Sequence, residues 1–360
     1  MLALGVVALA IFVGRYWYTT APLGQPDFGI SFSCRQARYL FGEGVDCRAT
    51  LAAIIDGLGT RHVRLSLYWD ESEPRPGVWD FSATDALVTT AAAHGADVLL
   101  TVGIKAQRYP EIYLPSWLDA TASLPEGAAI DTLPGVREAA VRFVRAAVEH
   151  YAANRAVVAW QVENEPFIKN YQTIHGWTIS PAMVAAEAAV VRQSDPLRRP
   201  VVVTHSAWTI YDQAWKTALT LGDVLGENVF TKKAWIRPWW YFFPYEAGPF
   251  TPDLPGQARA ARGAGKQFWL TELQAEPEEQ RSLLHTLDGN AGSMTPASFA
   301  AALTLARRSG AGRVYLWGAE WLYAVRTTPR GARLWQEARQ AIAAGNAAQG
   351  SSTPMYGSPR

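Results

Sequence analysis

The feature that most constrains the fold of this chain is an alternation of strand-like and helix-like segments that repeats eight times. Each unit opens with a short β-branched or aromatic run and continues with an Ala-rich stretch of helical period. This alternation predicts a parallel sheet, because each helix carries the chain back to the start of the next strand. Eight units favour a closed (β/α)8 TIM barrel in one domain over an open Rossmann-type sheet. A Rossmann sheet would also need a Gly-x-Gly-x-x-Gly after its first strand, and none is present.

The predicted elements extend over most of the chain. Strands are predicted at Phe28–Ser33, His62–Tyr68, Asp97–Val102, Val157–Val162, Pro200–Thr204, Asp223–Phe230, Gln267–Thr271 and Arg313–Trp317. Helices are predicted at Arg48–Leu58, Ser82–His94, Gly135–Asn154, Ser180–Gln193, Ala207–Leu221, Leu254–Gly263, Thr295–Ser309 and Pro329–Ala344. A capping-box spacing at Ser82 and the pair Thr295-Pro296 predict helix starts, and the pair Gly345-Asn346 predicts a helix stop.

The barrel is expected to carry an extension at each end. Residues 1–20 are interpreted as a hydrophobic membrane anchor or signal segment, and residues 21–27 as a linker. Residues 28–346 form the predicted barrel, and residues 347–360, rich in Gly, Ser and Pro, form a predicted flexible tail.

The amino-terminal run resembles a membrane-associated segment more than a buried strand. Residues 1–14 carry no charged side chain, and Arg15 and three aromatic residues follow. Aromatic residues at the end of an apolar run suit a membrane interface, although the run is short for a full span. Arg15 follows the run instead of preceding it, which opposes the usual orientation. We expect an uncleaved anchor or export signal and therefore an extracytoplasmic protein.

Charge and cysteine content exclude several classes of function. The chain has 33 basic and 32 acidic residues, so a nucleic-acid partner is not expected. The six His residues form no metal-binding motif, and no metal or other cofactor is expected. Cys34 and Cys47 lie 13 residues apart in a segment that looks loop-like. They can form a disulfide in an oxidising compartment, and the alternative is two free thiols.

Two glutamates follow predicted strands where a barrel places its active site. Strand 4 ends in the run Glu163-Asn164-Glu165-Pro166, and strand 7 ends in Glu272. Catalytic groups of such barrels cluster at the carboxyl ends of the strands. A pair of carboxyl groups, one protonated and one ionised, is what glycoside hydrolysis requires. A cationic Arg64 near Glu272 would keep that carboxylate ionised, and an apolar neighbourhood would keep Glu165 protonated.

The strand-end motifs resemble a known group of enzymes. VVAWQVENEPF, FWLTELQAEP and VYLWGAEW, in that order, resemble the retaining (β/α)8 glycoside hydrolases of clan A. The segment RLSLYWDESEPRPGVWDFSATD resembles the second strand and following loop of the β-galactosidase and xylosidase branches of that clan. The resemblance extends from Phe28 to Trp335 and is closest to cellulase-family glycosyl hydrolases of unassigned specificity.

The resemblance implies roles for individual residues. Glu165 corresponds to the acid/base and Glu272 to the nucleophile. Asn164 corresponds to the residue that holds the sugar 2-hydroxyl, and Trp317 to the floor of the sugar subsite. Arg64 matches the arginine of strand 2 loosely.

Further residues near strand ends are predicted to contact substrate or support the site. These are Trp69 after strand 2, His205 at the end of strand 5, Gln161 beneath Glu165, and Tyr241 in the loop after strand 6. Many clan members carry a tyrosine at the end of strand 6 that hydrogen-bonds the nucleophile. Phe230 stands at that position here, and Tyr241 or Tyr245 could replace it.

The sequence therefore predicts a membrane-tethered, monomeric retaining glycoside hydrolase that acts on a β-linked oligo- or polysaccharide outside the cytoplasm. Two alternatives stay open. One is a glycan-binding pseudoenzyme, and the other is a transglycosylase that uses the same pair of carboxylates.

Overall fold

The computed structural model describes residues 5–6, 9, 22–118, 124–168, 174–206, 213–231, 252–279 and 281–350. Almost all of the predicted amino-terminal anchor lies outside these residues, as does the end of the predicted tail. Within the described part of the chain, no helix combines the length and apolar character needed to cross a bilayer.

Eight parallel strands pair in chain order and close into a barrel, which confirms the predicted fold. The strands are β1 (Asp27–Ser31), β2 (His62–Ser66), β3 (Asp97–Val102), β4 (Val157–Val162), β5 (Val201–Ser206), β6 (Val224–Val229), β7 (Gln267–Gln274) and β8 (Arg313–Trp317). The ring closes where β1 pairs with β8, with Asp27 opposite Arg313 and Ile30 opposite Leu316. Closure leaves no strand edge exposed, and it points every carboxyl end toward the same mouth.

Eleven α-helices surround the barrel in the described residues. They are α1 (Cys34–Phe41), α2 (Cys47–Leu58), α3 (Trp69–Ser72), α4 (Ser82–Ala93), α5 (Val136–His150), α6 (Pro181–Ser194), α7 (Ala214–Leu221), α8 (Leu254–Gly263), α9 (Pro296–Arg308), α10 (Ala319–Val325) and α11 (Pro329–Gly350). All eight predicted helices are present, whereas α1, α3 and α10 were not predicted. These three are short, and each follows a strand on the side of the barrel mouth.

The segment between the two cysteines contains helix α1, so the prediction of a loop there is wrong. The Ser33 hydroxyl caps the helix by accepting a hydrogen bond from the Gln36 backbone N–H at 3.4 Å. Cys34 and Cys47, the first residues of α1 and α2, are joined in a disulfide with their Cα atoms 5.5 Å apart. The bond ties α1 to the helical ring at the mouth.

Helix starts follow the sequence signals in one case and not in the other. Thr295 caps α9 in a reciprocal capping box with Ser298, and Pro296 is the first helical residue, as predicted. The prediction that Ser82 caps α4 is wrong, because Ser82 already lies within the helix. Its backbone N–H bonds instead to the carboxylate of Asp80 at 3.0 Å.

The last helix does not stop at Gly345 and Asn346 but continues to Gly350. Gly345 serves close packing, since a Cβ there would lie 2.7 Å from the Pro26 carbonyl oxygen. The Asn346 amide donates to the Gly59 carbonyl oxygen at 2.9 Å, at the end of α2. Both residues therefore dock α11 against the barrel.

The barrel interior is apolar at the bottom and polar at the top. Six inward-facing side chains form a separate buried cluster, namely Leu99, Ala159, Val202, Val224, Trp269 and Tyr315. Two residues further along their strands, at the same face of the sheet, come Thr101, Gln161 and Thr204, all fully buried. A polar layer thus lies directly beneath the mouth.

We expect Gly345→Ala to lower the stability of the fold by about 1–3 kcal/mol, because the added methyl group meets backbone atoms that cannot rotate away. Gly263→Ala is the matched control, since a Cβ there meets nothing within 4 Å and the backbone is helical. The midpoint temperature of thermal unfolding of each variant, compared with the wild type, measures the effect. An unchanged midpoint for Gly345→Ala would contradict the packing role.

Candidate active site

A buried arginine joins the polar residues at the mouth. Arg64, on β2, is fully buried, and its guanidinium donates to side chains from four other strands or the segments that follow them. Its Nη1 lies 2.7 Å from Glu272 Oε1, its Nη2 lies 2.8 Å from Asn164 Oδ1, and its Nε lies 2.7 Å from Gln161 Oε1. A second Nη1 bond reaches Gln107 Oε1 at 3.0 Å. Arg64 therefore fixes these side chains without reaching the open cleft itself.

Glu272 lies within β7, buried and paired with Arg64. Burial raises the pKa of Glu272 to about 8, while the Arg64 guanidinium opposes the shift and the Glu165 carboxylate adds to it. Arg64 is therefore the group that favours the ionised form of Glu272 against the effect of burial. The strand register places Asn228 of β6 beside Glu272.

Glu165 follows β4 in a left-handed backbone conformation, with φ 47°. Two contacts fix this turn. The Glu165 N–H donates to Thr204 Oγ1 at 2.8 Å, and the Lys105 ammonium donates to the Glu165 carbonyl oxygen at 2.9 Å. The turn brings the carboxyl group back over the mouth, where Asn228 Nδ2 donates to Glu165 Oε1 at 2.8 Å.

The orientation of the Asn228 amide is fixed by a neighbour of Glu272. The Thr271 hydroxyl donates to Asn228 Oδ1 at 2.7 Å, which turns the amide NH2 group toward Glu165. The same NH2 group lies 3.3 Å from Asn164 Oδ1. Asn228 thus connects the strand that carries Glu272 to the turn that carries Glu165.

A second pair of carboxyl groups supports this turn from below. The Glu163 carboxylate accepts the backbone N–H groups of Ile104 and Lys105 at 2.8 and 2.5 Å. Glu163 also faces Glu187 of α6, and burial raises the pKa of both groups, which favours one shared proton. Gly103, with φ 121°, leaves the space that Glu163 fills, since a Cβ there would lie 2.5 Å from its carboxyl carbon.

An ion-pair cluster lies beside Trp317, at the end of β8. The Arg108 guanidinium stacks on the Trp317 ring, 3.8 Å from its centroid. The same guanidinium pairs with Glu276 and with Glu320, the latter at 3.0 Å. All three partners are more than nine-tenths buried, so Arg108 holds Trp317 in one orientation. Phe230 meets the Trp317 ring edge-on at 6.2 Å.

These groups surround a cleft of about 500 Å³ at the carboxyl ends of the strands. Its inner part is lined by Asn164, Glu165, Glu272, Trp317, Arg108 and Phe230. Its outer part is lined by residues of α1, of the loop after β3 and of the loop after β7. The predicted residues Glu165, Glu272, Asn164 and Trp317 therefore share one cleft.

The other predicted residues lie elsewhere. Arg64 and Gln161 are fully buried in the layer below the cleft. His205 is also buried, and its Nδ1 lies 3.0 Å from Glu227 Oε1 on β6. The prediction that Trp69 contacts substrate is wrong, because Trp69 is fully buried against Phe143 with ring centroids 5.5 Å apart. Tyr241 and Tyr245 lie outside the described residues.

The sequence interpretation missed residues that carry no motif of their own. Asn228, Thr271 and Thr204 have inward parity at the ends of β6, β7 and β5, which is the one signal that could have identified them. Arg108 and Glu276 come from loops after β3 and β7. Their pairing depends on loop conformations that strand parity does not determine.

The arrangement of these groups defines a class of site. Two carboxyl groups from opposite parts of a parallel barrel converge on one cleft with an aromatic side wall. Glu272 is paired with a cation and Glu165 accepts one amide donor, so the two carboxyl groups occupy different environments. This is the arrangement with which barrel enzymes cleave glycosidic bonds.

Comparisons with known proteins agree with this class. Residues 49–178 match the model of glycoside hydrolase family 42, described as β-galactosidase. A GH5_18 protein from Streptomyces cattleya, solved in complex with GlcNAc, is 15% identical over 92% of this chain and 82% of its own, with a TM-score of 0.60. A GH5_18 variant from Bifidobacterium longum, solved in complex with Manβ1-4GlcNAc, is 15% identical over 88% of this chain and 78% of its own, with a TM-score of 0.58.

A β-galactosidase from Halorubrum lacusprofundi is also similar, with 15% identity and a TM-score of 0.54. The alignment covers 88% of this chain but 57% of that longer one. Likeness at these identities establishes the shared barrel. Together with the family match, it confirms the resemblance to clan A and supports a glycoside hydrolase.

We expect Arg64→Met to lower the free energy of unfolding by about 3–5 kcal/mol at pH 9, because it leaves the buried Glu272 carboxylate unpaired. Removing the cation raises the pKa of Glu272 further. Glu272 takes up a proton as pH falls, which removes the unpaired charge, so the loss should be smaller at pH 5 than at pH 9. Urea unfolding of the wild-type protein and of Arg64→Met at pH 9 and pH 5 measures the loss of stability at each pH.

The double variant Arg64→Met/Glu272→Gln is the control for this prediction. Compared with the single variant Glu272→Gln, it reports the loss of Arg64 with no ionisable group at position 272 in either protein, so that difference should not depend on pH in this range. A loss for Arg64→Met that is equally large at both pH values would contradict the proposed pairing.

Proposed function

We propose that this protein is a retaining β-glycosidase, in which Glu272 is the nucleophile and Glu165 the acid/base. The observation that carries the proposal is the convergence of these two glutamates, from β7 and β4, on one cleft beside Trp317. In the proposed reaction Glu272 attacks the anomeric carbon while Glu165 protonates the departing oxygen. Glu165 then removes a proton from water, which hydrolyses the glycosyl-enzyme ester.

The surroundings of each carboxyl group support these roles. A nucleophile must be ionised, and the 2.7 Å contact with Arg64 favours that form of Glu272 against the burial that raises its pKa to about 8. An acid/base must change protonation state during each cycle. Glu165 supports this role by its position, because it lines the cleft and Asn228 Nδ2 holds its carboxyl group at 2.8 Å. Asn164, held by Arg64, lines the same cleft, and we assign it the role of binding a hydroxyl group of the reacting sugar.

We propose a β-linked galactoside or mannoside as the reacting unit. The family model names a β-galactosidase, and the similar structures include one with bound Manβ1-4GlcNAc and an exo-β-1,4-mannosidase. The two sugars differ at hydroxyl groups that side chains around the cleft would distinguish.

We further propose that the protein acts outside the cytoplasm. The Cys34–Cys47 disulfide supports this location, because such bonds persist mainly in oxidising compartments. The apolar run of residues 1–14 supports a membrane tether or export signal.

The decisive experiment is trapping with activated 2-deoxy-2-fluoro glycosides of galactose and mannose. The fluorine slows hydrolysis of the glycosyl-enzyme ester, so the proposal predicts one sugar per protein, mapped to the peptide that contains Glu272. The Glu272→Gln variant should give no adduct. An adduct on another carboxylate would overturn the assignment of the nucleophile.

Two other results would redirect the proposal. Tight sugar binding with neither adduct nor turnover would favour a glycan-binding pseudoenzyme. Transfer of the trapped sugar to an added sugar, in preference to water, would favour a transglycosylase.

We expect Asn228→Ala to impair the acid role of Glu165, because it removes the amide that orients this carboxyl group. The value of kcat/KM should fall about 10–100-fold on a phenyl β-glycoside, whose departing oxygen needs a proton. It should fall less than about threefold on the dinitrophenyl analogue, which needs none. Equal losses on both substrates would indicate a general structural defect instead. Thr271→Val, which removes only the hydroxyl that orients Asn228, should give a weaker form of the same pattern.

A further inference from the structure

The outer part of the cleft carries two exposed tyrosines that the proposed reaction does not use. Tyr39 of α1 is 46% exposed, and Tyr109, in the loop after β3, is 76% exposed. Both line the same cleft as Glu165 and Glu272. Aromatic rings exposed at the edge of a binding cleft offer flat apolar surfaces to a ligand.

Tyr39 is held in place from three directions. Its hydroxyl group lies 2.6 Å from Ser282 Oγ, in the loop after β7. Helix α1 is joined to α2 by the disulfide, and Arg35 of α1 pairs with Asp70 at 2.8 Å. Gln36, one turn earlier on the same face of α1, also lines the cleft and adds an amide group beside the ring.

Tyr109 lies on the same side of the mouth as Tyr39, although its loop begins at β3. The loop leans across the mouth toward β8 and β1, because Arg108 stacks on Trp317 and pairs with Glu320 after β8. Further along, the Tyr113 ring packs on Tyr68 at 4.7 Å and on the Arg35 guanidinium of α1 at 4.7 Å. The loop is thus fixed against the β8–β1 side.

The position of Glu165 determines which end of a substrate lies there. The acid/base must contact the departing oxygen, so the leaving group lies on the side of β4. In a closed barrel β8 and β1 lie across the mouth from β4 and β5. A glycan bound in this direction extends its non-reducing end past Trp317 toward Tyr39 and Tyr109.

We propose that Tyr39 and Tyr109 form a second sugar subsite, which binds the sugar unit attached to the non-reducing side of the reacting sugar. The inference rests on the proposed function and narrows the substrate class to glycans with at least two sugars before the cleaved bond. Gln36 and Arg281, which also line this part of the cleft, supply polar groups for sugar hydroxyls.

The test compares 4-methylumbelliferyl β-glycosides that carry one or two sugars on the same leaving group. Galactose with β-1,4-galactobiose and mannose with β-1,4-mannobiose are the two pairs of probes. The ratio of kcat/KM for the disaccharide to that for the monosaccharide isolates the contribution of the second sugar. We expect a ratio well above one for the wild-type protein. Tyr39→Ala and Tyr109→Ala should each lower it about tenfold, which corresponds to about 1.4 kcal/mol, with the monosaccharide rate unchanged.

Two control variants separate ring contact from other effects. Tyr39→Phe keeps the ring and loses the hydroxyl bonded to Ser282, so it should retain most of the ratio. Phe41→Ala removes another exposed ring of α1, which packs on Tyr323 at 6.1 Å outside the lining of the cleft, and should leave the ratio unchanged. A wild-type ratio of one, or equal losses on both probes in the tyrosine variants, would overturn the subsite.

Failure of the proposed function would be recognised separately, as absence of turnover of every probe by the wild-type protein. Calorimetric titration with β-1,4-galactotriose and β-1,4-mannotriose then tests the subsite without turnover. Weaker binding by Tyr39→Ala would support the subsite. Equal affinity of the two proteins, or no binding by either, would overturn it.

Discussion

The contacts of one buried guanidinium organise the mouth of this barrel. Arg64 is fully buried and holds Glu272, Asn164, Gln161 and Gln107 within hydrogen-bond distance. A buried cation is costly unless every donor finds a partner, so its presence requires the polar layer around it. The same contacts set the positions of Glu272 and of Asn164, the residue before Glu165. The polar layer does not disrupt the apolar cluster at the bottom of the barrel, because the layer and the cluster occupy successive levels of the same strands.

The fold could be predicted from the sequence because its signal is local and repeated. Strand bounds at Asp97–Val102, Val157–Val162 and Arg313–Trp317 coincide with the prediction, since short β-branched runs between helical segments indicate strands of a parallel sheet. Glu165 and Glu272 could be identified for the same reason, because each follows a predicted strand. The prediction that Trp69 contacts substrate was wrong for a reason that strand position does not reveal. Trp69 also follows a strand, but its ring turns outward onto the helices, and a strand-end position does not determine that direction.

The rest of the site depends on contacts between distant segments. Asn228 acquires meaning only because Thr271 orients it and Glu165 lies opposite. Arg108 lies beside Trp317 because its loop leans across the mouth, with a left-handed backbone at φ 79°. Apart from the inward strand parity of Asn228, neither arrangement leaves a spacing or periodicity in the sequence. The sequence also gives no sign of the packing role of Gly345, because a glycine near the end of a predicted helix indicates a helix stop.

The pairing of β1 with β8 has a consequence for how the protein is made. While the chain is being synthesised, the first strand keeps one edge without its partner until the eighth has left the ribosome, and exposed edges invite pairing with other chains. Arg64 likewise lacks its ion-pair partner Glu272 until that residue, 208 positions later, has been synthesised. A nascent chain in which β1 has already formed would therefore expose one strand edge, and its Arg64 would lack the Glu272 partner. A chaperone that shields this edge would find its binding surface in the first third of the sequence.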